Sequence, residues 1–183
     1  MDKYKKIKIG DKETLTHQIT EDDIKKFVDL TGDDNKLHLD KEYAQKTSLK
    51  KPVAHGMLGA SFISTIIGTK IPGDGALWLS QSLEFKKPVR VGDILKIVAK
   101  VISKNDKENI IELDSKIYNQ HKQIVTEGIS KVKIIKKVES VKAPLLKNKK
   151  NRNVLILGAT GAIGSETALI LAKNGFNVIL HYF

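Results

Sequence analysis

The sequence predicts an α+β fold in which an antiparallel sheet wraps round one helix, followed by a short βαβ unit. Three observations predict it. Helical patterns crowd residues 20–69, alternating apolar residues dominate residues 77–135, and residues 153–180 read strand, glycine turn, helix, strand. Helices gathered ahead of a run of strands is the order of a sheet closing over a helix, not of alternating βα units.

The first helix is predicted to start at Thr20, an N-cap oxygen followed by Glu21, Asp22 and Asp23, whose charges suit the positive end of the helix dipole. Ile24, Phe27, Val28 and Leu30 or Thr31 then share a face, and Gly32 supplies a stop. A second, short helix is expected from Asp40 through Thr47, before SLKKP breaks it. The third, residues 56–69 (GMLGASFISTIIGT), is apolar nearly all round and carries no charge, so burial inside the sheet is expected. Its small residues Gly56, Gly59, Ala60, Ser61 and Ser64 let another backbone come close.

After the turn at IPGDG the period becomes two. Leu77, Leu79, Leu83 and Phe85 are predicted to share one strand face, Leu95, Ile97, Ala99 and Val101 a second, and Ile111, Leu113 and Ile117 a third. Residues 122–135 supply a fourth strand, with a bulge expected at Gly128. The predicted organisation is a domain over residues 1–137, a basic linker over 138–152 and an incomplete unit over 153–183.

Composition narrows the function classes. A chain of 183 residues holds one full domain and a remnant. No stretch approaches the roughly 18 apolar residues of a membrane span, and MDKYKKIKIG lacks the apolar centre of a signal peptide, so a cytoplasmic protein without a membrane partner is expected. The lack of cysteine excludes disulfides, thiolate nucleophiles and thiolate-bound zinc. Of the formal charge of +11, much sits in residues 136–152, where seven basic residues face one acid. A solvated linker accounts for that run, and without interleaved aromatics no nucleic-acid partner is expected.

Two short stretches carry chemistry: TGDDNKLH (residues 31–38) and PVAHGML (residues 52–58). Taken singly, the first is ordinary turn chemistry and the second a helix entry. Together they can do more. A carboxylate (Asp33) and an imidazole (His38) held by one loop can share a water, one accepting its proton as the other donates, which is the apparatus for adding water to an activated double bond. Such a reaction builds charge on a thioester oxygen, and the N–H of Gly56, at a helix N-terminus, is placed to receive it. His38, His55 and the nearby acids match no zinc spacing, so no metal is expected, and His55 is given no role beyond helix entry.

Residues 27–64 (FVDLTGDDNKLHLDKEYAQKTSLKKPVAHGMLGASFIS), with PGDGALWLSQSLEFKKPVRVGD (residues 72–93), resemble the MaoC-like family of (R)-specific enoyl-CoA hydratases over about residues 7–135. The resemblance implies a hot-dog fold, a homodimer, and hydration of trans-2-enoyl thioesters of coenzyme A or acyl carrier protein to (R)-3-hydroxyacyl thioesters, without a cofactor. It implies Asp33 and His38 as the water-activating pair, Gly56 as the oxyanion donor, and Asn35 and Ser64 in support. One departure stands out: Lys36 occupies the position where the family usually has Pro, and Lys does not fix φ. A second reading stays open, in which the fold binds acyl thioesters without turning them over.

GATGAIG (residues 158–164) follows the strand NVLIL and opens a helix, a context in which backbone N–H groups cradle a pyrophosphate. The segment resembles the start of a short-chain dehydrogenase/reductase, with Gly158, Gly161 and Gly164 as cofactor-binding glycines. The second strand ends at His181 and Tyr182 without an acid, which points to NADP(H) rather than NAD. The expectation is a hydratase–reductase fusion cut short, whose tail does not work as a dehydrogenase.

Overall fold

A computed structural model describes residues 3–135 and 152–181. The chain divides into two units, Met1–Lys137 and Val138–Phe183. Apart from Arg152, the basic linker expected over 138–152 lies outside the described residues.

In the first unit a short helix α1 (Lys3–Lys6) and a strand β1 (Lys12–Gln18), neither predicted, precede helix α2 (Glu21–Thr31). A capping box starts α2: Asp23 N–H donates to the Thr20 hydroxyl at 3.1 Å, and Thr20 N–H donates to the Asp23 carboxylate at 2.8 Å. Gly32 ends it at φ 75°, its N–H donating to the Val28 carbonyl. Leu30 is not on the buried face; it is 84% exposed. Next come two short helices, α3 (Lys36–Leu39), capped by Asn35, and α4 (Lys41–Gln45), capped by Asp40. The predicted helix at 40–47 is therefore shorter, and His38 stands in a helical turn rather than in a loop.

Helix α5 (Gly56–Thr69) has the predicted bounds, but burial all round is not what it shows. Leu58, Gly59, Ala60, Ile63, Ile66 and Ile67 are buried, whereas Met57, Ser61, Ser64, Thr65 and Gly68 are exposed. The small polar residues are what make this face tolerable to solvent. The sheet that covers the other face comprises β2 (Ala76–Gln81), β3 (Glu84–Phe85), β4 (Ile94–Asn105), β5 (Ile110–Tyr118) and β6 (Ile124–Ile134) together with β1. Its order is β1-β4-β5-β6-β2, antiparallel throughout, with β3 also pairing β6. The faces predicted for β4 and β5 are the core: Leu95, Ile97, Ala99, Val101, Ile111, Leu113 and Ile117 are buried against α5 and its neighbours. Each of the leucine, isoleucine and valine side chains contributes about 1.5–3 kcal/mol by leaving water.

Two strand predictions are corrected. Ala76 and Trp78 pack on the core while Leu77 and Leu79 face outward, because β2 is an edge strand whose alternate side is the covered one. Its register shifts between Trp78 and Ser80, and the break before β3 returns Leu83 to the core but leaves Phe85 half exposed. Gly128 is not a bulge: it stays in register opposite Ser115, and the shift in β6 lies opposite Ile117 and Tyr118. Glycine is needed there for another reason, since a Cβ would lie 1.8 Å from the Ser82 carbonyl oxygen at the break in the neighbouring strand.

In the second unit β7 (Asn153–Leu157) and β8 (Asn177–His181) pair in parallel, joined by α6 (Ala162–Lys173). Gly158 has φ 71°, Gly161 is the N-cap of α6, and a Cβ on Gly164 would lie 2.3 Å from the Gly158 carbonyl oxygen. Gly158 and Gly164 are thus required by the backbone, whereas Gly161, at φ −73°, leaves room for a side chain. Among the described residues, no helix is long and apolar enough to cross a membrane.

Candidate active site

Asp33 and His38 are placed by two successive caps, Gly32 at the end of α2 and Asn35 at the start of α3. Gly32 turns the chain out of α2, so that Asp33 N–H donates to the Thr31 hydroxyl at 3.3 Å. The Asp33 carboxylate then accepts from Asn35 N–H at 3.4 Å, and the Asn35 side chain accepts from Leu37 N–H at 3.0 Å to start α3. Lys36 is the first residue of that helix, the position where Pro is most easily accommodated. Its replacement of Pro therefore leaves the cap intact.

His38, in α3, is fixed from the segment that precedes α5. Its Nδ1 lies 2.7 Å from the Val53 carbonyl oxygen, which only accepts, so Nδ1 carries the hydrogen and Nε2 keeps a free lone pair. That segment is itself anchored: Val53 N–H donates to the Leu37 carbonyl, and Ala54 N–H to the Val89 carbonyl at 2.7 Å. Arg90 donates to the carbonyls of Leu49, Lys51 and Pro52. Its guanidinium is thus occupied in bracing the backbone, and Lys86 is paired with Glu84 and Glu127, whose contacts raise its pKa.

His55, the residue to which sequence reasoning assigned nothing further, is at the centre. It is 3% exposed, its Nε2 donates to the Asp33 carbonyl oxygen at 2.9 Å, and its ring stacks on His38 with centroids 3.7 Å apart. Phe27 closes the other side at 4.8 Å. A lone histidine at a helix entry carries no local signal for these contacts, the hydrogen bond among them joining residues 22 positions apart.

Gly56 follows His55 and opens α5. As a first-turn residue its N–H has no acceptor within the helix. A Cβ here would meet the Phe85 ring at 2.8 Å, so only glycine leaves ring and backbone as they stand. His38, His55, Gly56 and Phe85 line a cavity of about 470 Å³ whose inner wall is apolar, formed by Leu95, Ile117 and Val125. His38 also borders a second cavity of about 530 Å³ with Ile24, Val28, Lys41 and Lys51. Ser64 is placed elsewhere: it faces an open groove with Phe27, Thr31, Met57 and Leu79, and makes no hydrogen bond among the described residues.

Asp33, His38 and His55 offer ligand atoms within 4.8 Å of one another, a separation that a cation could bridge. The hydrogen bonds argue against a fit. The His55 nitrogen facing Asp33 carries the hydrogen given to a carbonyl, and so has no lone pair for a metal.

A search of protein families matches residues 6–122 to the MaoC like domain. The (R)-specific enoyl-CoA hydratase of Rhodospirillum rubrum is 48% identical over 90 residues, covering 49% of this chain and 62% of that protein. The (R)-specific enoyl-CoA hydratase of Aeromonas caviae is 34% identical, covering 70% of this chain and 96% of that protein. The solved (R)-hydratase structure from the same source superimposes with a TM-score of 0.68, at 34% identity over 70% of this chain and 98% of that one. A mitochondrial 3-hydroxyacyl-[acyl-carrier-protein] dehydratase of Arabidopsis thaliana is 33% identical, covering 65% of this chain and 72% of that protein. The sheet over α5 is the hot-dog architecture of these neighbours, and the matched residues carry Asp33, His38, His55 and Gly56: the chain belongs to the MaoC-like domain family.

Proposed function

We propose that Asp33 and His38 activate a water for addition to a trans-2-enoyl thioester, giving the (R)-3-hydroxyacyl thioester, and catalyse the reverse dehydration. The protein is a hydro-lyase of the enoyl-thioester hydratase kind, acting on coenzyme A or carrier-protein thioesters. One observation carries the site: the half-exposed Asp33 carboxylate and the imidazoles of His38 and His55 offer atoms within 4.8 Å of one another, and Gly56, the first residue of α5, follows His55 directly and lines one cavity with both histidines.

In the forward direction Asp33 and His38 work as a unit on one water. Its hydroxyl bonds to C3 and a proton is delivered to C2, so the pair ends as it began. Charge that builds on the thioester oxygen meets the Gly56 N–H at the positive end of α5. The apolar cavity beyond Gly56 excludes water from the acyl chain. Asn35 supports the pair by holding α3, and Ser64 borders the groove on the far side of Met57.

A homodimer belongs to the same reading. The free edge of β2, the outward Leu77 and Leu79, and the groove of about 960 Å³ beside the exposed face of α5 suit a second copy of the chain. For residues 152–181 the proposal is a Rossmann-like βαβ start of the short-chain dehydrogenase kind. Its glycine turn fits the pyrophosphate of a nicotinamide dinucleotide such as NADP(H), which in a complete reductase unit would supply hydride chemistry. Hydration requires nothing from it.

The test is loss of the conjugated enoyl-thioester absorbance on mixing the full chain with crotonyl-CoA, longer enoyl-CoAs and an enoyl carrier-protein thioester. Hydration of any of them supports the proposal and ranks the carriers. Tight binding of all without turnover would replace it by an acyl-thioester-binding module.

A further inference from the structure

We infer that His55 is a positioning residue that sets the Asp33–His38 geometry through two separate contacts, a reading that rests on the hydratase function proposed above. The first contact is a hydrogen bond. His55 Nε2 donates to the Asp33 carbonyl at 2.9 Å and lies 3.9 Å from the Asp33 carboxylate, so it fixes the backbone of a residue whose own side chain is half exposed. Among the described residues, the other bonds of Asp33 are the long ones from its own N–H and from Asn35 N–H, at 3.3 and 3.4 Å.

The second contact is the ring. His38 is held at Nδ1 by Val53, but a single hydrogen bond leaves an imidazole free to swing about that bond. The His55 face stacked at 3.7 Å removes that freedom and aims Nε2 of His38. Buried between His38 and Phe27, His55 cannot follow solvent-driven motion. It is also the N-cap residue of α5, directly before Gly56, so one side chain ties the carboxylate, the imidazole and the oxyanion donor into one frame.

Its chemistry suits that task. The bond to a carbonyl requires the hydrogen on Nε2, which leaves Nδ1 as a bare lone pair, and Nδ1 is the buried side-chain atom without a hydrogen-bond partner among the described residues. A buried polar atom left unsatisfied costs about 1–3 kcal/mol. In return the imidazole offers, on one ring, both a flat face to His38 and an N–H to Asp33.

Two substitutions separate the contacts. His55→Phe keeps the ring and loses the donor, and His55→Gln keeps a donor at a similar reach and loses the ring. With wild type active on crotonyl-CoA, each is expected to lower kcat about 10-fold to 100-fold per folded molecule, with KM within about twofold, since misplacement of about 1 Å costs about that much. His55→Ala, which loses both contacts, should do worse than either, so that each conservative variant rescues part of its loss. Unchanged kcat in both Phe and Gln variants, or a rise in KM with kcat unaffected, would overturn the inference while leaving the hydratase intact. An inactive wild type would instead overturn the function. The ring nitrogens of wild-type protein labelled with nitrogen-15 histidine give a readout that needs no variant: the Nε2–H form of His55 is expected, and the Nδ1–H form would contradict the hydrogen bond on which the inference stands.

Discussion

The two units of this chain each carry a conspicuous glycine at the start of a helix, yet they differ in what surrounds it. Gly56 opens a helix whose inner face is covered by the sheet, and beside it His38 and His55 are held by carbonyls from other elements. Gly161 opens α6, whose Ile163 is 86% exposed, and of the aliphatic residues in β7 and β8 only Ile156 is buried. A helix N-terminus becomes chemistry when buried contacts hold reactive groups against it. A glycine pattern alone, even with its backbone logic intact, supplies only a surface that could receive a phosphate.

The comparison breaks most visibly at the reactive groups. Asp33→Asn is expected to lower hydration by about 10²-fold to 10⁴-fold, the range for loss of a general acid or base. Its thermal midpoint should stay near wild type because the Asp33 side chain is 52% exposed. By contrast Gly164→Ala, which forces a Cβ to within 2.3 Å of the Gly158 carbonyl, should disturb the second unit and leave hydration per folded molecule unchanged. Stopped-flow or steady-state absorbance on both variants checks the pair.

Packing should sort the units in the same way. Leu113→Ala, on the fully buried face of β5, is expected to cost about 2–5 kcal/mol in urea unfolding. Leu157→Ala in β7, whose side chain is largely exposed, should cost within about 0.5 kcal/mol.

A smaller effect tests the cap that delivers the chain to Asp33. Burial pushes the Asp23 pKa up, but hydrogen bonds from His17 and from the Thr20 amide and hydroxyl, with the His17 charge, outweigh it and hold the carboxyl below its usual range. A lowered folded-state pKa means that Asp23 stabilises the fold above about pH 4, the unfolded carboxylate value, and that this contribution fades as pH falls through the folded value. Asp23→Asn is expected to cost about 0.5–2 kcal/mol at neutral pH and to flatten the acid limb of a stability-against-pH curve. One small change is a gain. Lys36→Pro, at the first position of α3, should raise stability by about 0.4–1 kcal/mol by stiffening the unfolded chain, with hydration intact.

Much of this was legible in the residues. The cap at Thr20, the stop at Gly32, the bounds of α5 and the inward faces of β4 and β5 follow from local rules of capping and period. What period cannot say is which of two alternating faces is covered: Leu77 and Leu79 share a face, but Trp78 lies on the covered one, and the break before β3 takes Leu83 off the face of Leu77 and Leu79. Glycine inside a strand signals a bulge, yet Gly128 stays in register and makes room for the break in its neighbour. Asp33, His38 and Gly56 could be named because their residue types match a reaction. His55 could not, because its work depends on a carbonyl and a ring brought to it by the fold.

The central claim is that Asp33 and His38 act as one device on one water. The most direct measurement is a double-mutant cycle in hydration of crotonyl-CoA, with Asp33→Asn, His38→Ala and both together. Groups that act as a unit lose their shared contribution once. The double variant is therefore predicted to be no slower than the slower single variant, to within about threefold. A double variant slower by the product of the two single losses, or single variants that keep wild-type rates, would contradict the account.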